Sequence, residues 1–222
     1  GAIEEMQTYL PASMAKRFNF QTNVDSSALS LENGLFDLNE SYYNDIKASA
    51  TASIVFTEDS VAITNEIAGL TIKDSADVLL VENNAEACDI TLSGKATNKK
   101  IILSGTSATQ FILDNVELST EADASIISQS STKLYVTTAK HSFNSLSGIE
   151  ALEGCGDMLL SGDGLLCLDG NRDYSALLSA KNSLIINGGN YCITAYGYAE
   201  QGIMSENSVE IFRGNIHLVT LG

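Results

Sequence analysis

The chain has 222 residues, 44% hydrophobic and 18% charged, enough for one sizeable core and too apolar for a disordered chain. Its 28 acidic and 12 basic residues give a net charge of −16, which argues against nucleic acid and anionic membranes, since both need basic surface. The same charge permits bound divalent cations, calcium above all, because calcium takes oxygen ligands.

Residues 1–45 differ from the rest. The stretch EEMQTYLPASMAKRFNF mixes charged and apolar residues at helix-like spacing, interrupted by Pro11, the one proline of the chain. We read residues 1–45 as an N-terminal cap, with a short helix near Ala12–Phe18. From Ile46 onward alternation of apolar and polar residues takes over. ASIVF, SVAI, LTIK, DVLLV, DITLSG, KKIILSG, TQFILDNVELS, SIIS and KLYVTT follow one another, separated by Gly, Asn, Asp and Ser. Period-two alternation broken by turn residues marks strands. The stretch His141–Gly156 is less regular and is predicted to leave the pattern as a longer loop. No run of about 18 apolar residues occurs, so no membrane insertion is expected. Residues 46–222 are taken as one domain.

The strictest part is Met158–Leu218. It reads in three lines, MLLSGDGLLCLDG, LIINGGNYCITAYG and VEIFRGNIHLVTLG. Leu184, Ile186, Gly189, Tyr191 and Ile193 return as Val209, Ile211, Gly214, Ile216 and Leu218. A fixed period of about 25 residues with strand-type alternation is the mark of a stacked solenoid. The predicted fold is all-β: a right-handed single-stranded parallel β-helix, with three strand faces per coil and an N-terminal cap.

Alternation also assigns side chains to inside and outside. Met158, Leu160, Leu166, Leu168, Leu184, Ile186, Tyr191, Ile193, Val209, Ile211, Ile216 and Leu218 are predicted to face inward. Cys167, Cys192 and His217 then form an outward row, and Leu159, Ile185 and Glu210 another, which Ile112 and Tyr135 continue on earlier coils. An outward apolar stripe is either covered or used as a contact surface. The four cysteines, at 88, 155, 167 and 192, show no CxxC spacing. The row Cys167, Cys192, His217 offers soft-metal donors, but collinear ones. At the ladder spacing a Cys167–Cys192 disulfide is sterically conceivable. The pairs Asn182 with Asn207 and Asn190 with Asn215 read as stacked structural turn residues.

The stretch GDMLLSGDGLLCLDGNRDYSALLSAKNSLIINGGNYCITAYGYAEQGIMSENSVEIFRGNIHL resembles the bacterial carbohydrate-binding β-helix family. Its repeat runs D-L-x-I-x-G-x-G-x-L-x-V-x-G, then D-G-I-x-S-K-D. SIVFTEDSVAI, DITLSGKATNKKIILSG, QFILDNVELS and KLYVTT are similar to that family's earlier coils in the same order, so the likeness spans about residues 46–218. The resemblance implies a pectate-lyase-like fold and a secreted or cell-surface bacterial protein. It implies non-catalytic binding of plant-type or acidic polysaccharides. Calcium is associated with the family, but its repeated aspartate falls here on Glu150, Ala176 and Gln201. Only Glu150 is acidic, so it is the single metal candidate, and no cofactor is required.

The candidate carbohydrate contacts are Tyr174, Tyr196 and Tyr198, placed in turns of successive coils, where aromatic faces can stack on sugar rings. Asp169, Asn171, Arg172 and Asp173 in the same turn offer hydrogen bonds, with Arg172 suited to a carboxylate. Catalysis has little support: a glycosidase needs paired carboxylates flanking one bond, and Asp157, Asp163 and Asp169 fall in different turns. The leading expectation is a polysaccharide-binding solenoid. The alternative is a structural or adhesin-like β-helix. It would bind a protein, or a second copy of itself, through the apolar stripe or the open solenoid end. A degenerate polysaccharide lyase comes third.

Overall fold

The computed structural model describes residues 48–170, 177–196 and 202–221, all within the compact unit Tyr43–Gly222. Among the described residues there are strands and no helix. The first are β1 (Ala50–Phe56), β2 (Val61–Thr64), β3 (Leu70–Ser75), β4 (Val78–Asn83), β5 (Cys88–Thr97), β6 (Lys100–Gly105) and β7 (Thr109–Ser119). Then come β8 (Ile126–Ser128), β9 (Leu134–Thr138), β10 (Phe143–Gly148), β11 (Leu152–Gly154), β12 (Met158–Gly162) and β13 (Leu165–Gly170). The last are β14 (Leu178–Ala180), β15 (Ser183–Tyr196), β16 (Ile203–Ser205) and β17 (Ser208–Leu221).

From β8 onward each coil repeats three segments. A three-residue strand (β8, β11, β14, β16) is followed by a strand running into a corner and a strand leaving it. In β15 and β17 the last two are one continuous strand bent at the corner. Equivalent segments pair in parallel, coil upon coil. This is the predicted solenoid.

The register makes the core. Leu79, Ile101, Ile126, Leu152, Leu178 and Ile203 stack in one column. Ile90, Phe111, Val136, Leu160, Ile186 and Ile211 form a second. Leu118, Leu146, Leu168, Ile193 and Leu218 form a third. All are buried as far as β15. Each buried aliphatic side chain contributes about 1.5–3 kcal/mol. The inward assignment therefore holds, with a physical difference on the last coil. There Val209, Ile211 and Leu218 are 44%, 54% and 46% exposed, because β17 has a pairing neighbour, β15, on one side among the described residues.

Three findings differ from the sequence reading. The stretch 141–156 is not an extruded loop: it supplies β10 and β11, both stacked on the coils beside them. Its pattern is masked by Asn144, a polar residue in the core column of Leu166 and Tyr191. Asn144 is fully buried and satisfied: its Oδ1 accepts from Val116 N–H, and its Nδ2 donates to Ser142 Oγ and the Leu165 carbonyl. Next, the first coils are not wholly parallel, since β2 pairs antiparallel with β1 and β3 antiparallel with β4. The connections Thr57–Ser60 and Ala76–Asp77 are too short for a parallel crossover, so the chain must turn back. Last, Ile112 is outward but stacks on Thr137, and Gln110 is the residue opposite Tyr135. The proposed cap, residues 1–45, and the helix within it lie outside the described residues.

The corners need left-handed backbone. Gly94 has φ +85°, and a Cβ there would collide with the Phe56 carbonyl oxygen of the neighbouring coil. Asn115 and His141 take the same role with φ +58° and +61°. Gly94→Ala should therefore cost several kcal/mol in urea unfolding, whereas Glu206→Gln, on an exposed turn, should stay within about 0.5 kcal/mol. Equal midpoints for the two variants would refute the corner geometry.

Candidate functional site

Where the coils bend between their second and third segments, the structure opens a cleft of about 640 Å³. Its base is glycine: Gly162, Gly188, Gly189 and Gly214. The register of β15 on β17 slips here, so that Asn187 faces Arg213 and Asn190 faces Asn215. Gly188 and Gly189 carry φ of +126° and +91°, which only glycine adopts without strain. Absent side chains at the bend are what make the surface concave.

The walls are polar. Gln110 Nε2 donates to Asp89 Oδ1 at 2.9 Å, and Thr137 Oγ1 donates to Gln110 Oε1 at 3.0 Å. Thr137 and Ser161 hydroxyls are 2.9 Å apart. Arg213 Nε donates to Asn187 Oδ1 at 3.2 Å, and Asn215 Nδ2 donates to Asn190 Oδ1 at 2.8 Å. The partners come from successive coils, so the polar rows run across the strands, along the stack. Asp163 and Arg213 are the two charged residues among the described lining residues. The rest are amides, hydroxyls and glycines.

Beside this polar row runs an apolar one. Tyr135, Leu159 and Ile185 stack in register, two positions before Thr137, Ser161 and Asn187 on the same outward face. They form a separate buried cluster, with Ala108 and Phe212 packed against it. The outward apolar stripe is thus covered rather than offered to solvent. Under the bend, Tyr191 is 3% exposed and its hydroxyl donates to the Gly188 carbonyl at 2.8 Å, which ties the cleft floor to the core. Burial pushes its phenol well above the usual tyrosine range.

The tyrosine edge expected from the sequence is another matter. Tyr174, Tyr198, Asn171, Arg172 and Asp173 lie outside the described residues. Tyr196 closes strand β15 opposite Leu221, so its backbone is in the ladder and not in a turn. Asp169 likewise sits in β13, between Ser147 and Thr194 on adjacent coils, where alternation carries it to the outward face. Glu150 accepts a hydrogen bond from Ser179 Oγ at 3.2 Å. Among the described residues no three His, Cys, Asp or Glu side chains converge on a metal-sized point. Ala176 and Gln201 fall outside the described residues. Of the paired asparagines, Asn190 and Asn215 do stack, whereas Asn182 Nδ2 turns to Asp157 Oδ1 at 2.5 Å and Asn207 Nδ2 to Ser183 Oγ at 3.0 Å.

The cleft itself was missed by the sequence reading. Its signal was present in SGDG, NGGN and RGN, where Gly and Asn recur at the same point of each coil. By sequence alone they read as turn residues.

Comparison with known proteins bears on this geometry. Residues 81–222 match the family described as carbohydrate-binding domain-containing protein, and the chain belongs to that family. A search of curated proteins gives no match. Among solved structures the chain is similar to a polysaccharide lyase-like protein from C. thermocellum, at 22% identity and a TM-score of 0.57, covering 77% of this chain and 82% of that one. That likeness concerns the fold.

Two measurements test the site's construction. Thr137→Val and Ser161→Ala should each cost about 1 kcal/mol in urea unfolding, and the double variant less than their sum, since both remove one shared bond. The raised phenol of Tyr191 stabilises the fold fully below the unfolded tyrosine value of about 10, and the stability is lost as pH rises above it. Tyr191→Phe should therefore flatten the alkaline loss of stability, while costing about 1 kcal/mol at neutral pH for the hydrogen bond to Gly188.

Proposed function

We propose that this member of a carbohydrate-binding family holds an extended polysaccharide in the glycine-floored cleft, without catalysis, as a secreted or cell-surface protein. The observation that carries the reading is periodicity. Amides and hydroxyls repeat across successive coils at the inter-strand spacing of about 4.8 Å, so a polymer laid along the stack meets like groups at each step. A repeating ligand suits a repeating surface, and sugar hydroxyls both donate and accept, as amides do.

The balance of the lining supports binding over hydrolysis. Asp163 is the carboxylate among the described lining residues, and hydrolysis of a glycosidic bond takes two. Arg213 adds one positive charge at the end of the cleft, a partner for a uronate carboxylate on an acidic plant-type glycan. Glu150 stands apart from the cleft lining, so calcium is given no part in the contact.

Retention in gels cast with neutral or acidic plant polysaccharide tests this directly. Asn187→Ala, Asn215→Ala and Gln110→Ala should each weaken retention about tenfold, as expected for lost hydrogen bonds at a partly desolvated site. Lys100→Ala, whose side chain pairs with Asp123 away from the cleft, should leave it unchanged. If Tyr174→Ala and Tyr198→Ala abolish retention and the cleft variants do not, the tyrosine edge is the site and the cleft reading fails.

A further inference from the structure

The outward row of β10, β13, β15 and β17 runs Ser145, Cys167, Cys192, His217, each directly opposite the next. Its central members stand directly opposite each other on adjacent parallel strands. Strand neighbours sit about 4.8 Å apart, inside the Cα separation of about 4.4–6.8 Å that a disulfide spans. Because the strands are parallel and in register, both Cα–Cβ bonds leave the sheet on the same face. The two residues are half-buried, open enough for a small reagent. The other two cysteines are placed differently. Cys88 is in the core, where Asn83 Nδ2 donates to its sulfur at 3.3 Å, and Cys155 follows β11. Neither faces a cysteine in the strand register among the described residues.

We propose that Cys167 and Cys192 form a redox-closable pair, joined by exchange with a small-molecule disulfide into a bond between two adjacent coils. One thiolate attacks a sulfur of oxidised glutathione, its S–S bond breaks, and one glutathione leaves as thiolate. The second cysteine, losing its proton to water, then attacks the mixed disulfide and expels the other glutathione. Two electrons and two protons pass from the pair to one oxidised glutathione, which becomes two reduced molecules. Burial first, then Cys192 and Asp169, push the Cys167 thiol up to about 11, so Cys167 is a thiol at neutral pH and exchange through it quickens as pH rises.

The bond closes a loop that contains Asn187, Gly188, Gly189 and Asn190. Oxidation would therefore pin the strand that carries one wall of the cleft. The chemistry does not depend on what the cleft binds.

The test uses the whole reduced chain, oxidised glutathione at pH 8, alkylation of remaining thiols and peptide mapping by mass spectrometry. The expected product is a Cys167–Cys192 linked peptide pair with Cys88 and Cys155 alkylated after unfolding. The thermal midpoint should rise by about 5–10 °C, a shift reversed by dithiothreitol and absent from Cys167→Ser and Cys192→Ser. Mapping on the unmutated chain keeps the test independent of whether those variants fold. Stable glutathione adducts on both cysteines without a bridge would overturn the proposal. So would a folded chain that stays reduced while the urea-unfolded chain reacts.

Discussion

Everything in this molecule depends on the in-register parallel ladder. Once one coil is hydrogen-bonded to the next, each side chain must share its column with the equivalent residue of both neighbours. Columns of Leu, Ile and Val fill the interior because like shapes pack on like at every level. Asn144 and, on an earlier coil, Asn83 sit in the interior with hydrogen-bond partners, whereas Ser128, in the column of Leu103, has a buried hydroxyl with none among the described residues. Asn83 is fully buried, with Nδ2 donating to the Ala108 carbonyl and Thr109 Oγ1. The ladder also sets the cost of any error, since a misfit is felt by three coils at once.

The same constraint organises the surface. Side chains pointing outward repeat as faithfully as those pointing in, so the molecule presents rows and not isolated groups. Charges are arranged between coils: Lys95 pairs with Glu117 at 2.8 Å, Lys99 with Asp74 at 2.6 Å and Lys100 with Asp123 at 2.7 Å. In a chain of net charge −16 these few cations blunt repulsion where acidic turns crowd together. Lys95 and Glu117 are well exposed, so that pair contributes little to stability. Lys99 is largely buried and also meets the Ala76 carbonyl, which makes it a structural tie at the antiparallel end.

The cleft follows from what the ladder cannot do. A strand that must turn a corner without leaving its register needs a residue at positive φ, and glycine is the usual answer. On the later coils the glycines lie level with one another, and the missing side chains leave a furrow along the stack. Polar residues line it because a bend exposes backbone groups that an apolar wall could not satisfy. Structural necessity at the corner and a surface suited to hydroxyl-rich polymers are, in this fold, the same feature.

The sequence by itself determined the architecture. Alternation told inside from outside, and the return of Leu184, Ile186, Tyr191 and Ile193 as Val209, Ile211, Ile216 and Leu218 set the coil length. Both are properties of local geometry that a string of letters carries. It also disclosed the pairing of Cys167 with Cys192, since register follows from period. Only the tertiary structure decided the rest. It put β10 and β11 in the stack, because the satisfaction of Asn144 by Val116, Ser142 and Leu165 is a fact of neighbouring coils. It moved Ile112 out of the Tyr135 column, because β7 pairs with β9 so that Gln110 lies opposite Tyr135 and Ile112 opposite Thr137. It buried Leu159 and Ile185 on an outward face. And it gathered Gln110, Thr137, Asn187 and Asn215 into one cleft, because concavity arises from atoms that are absent, and their absence on adjacent coils becomes a shape only when the coils are stacked.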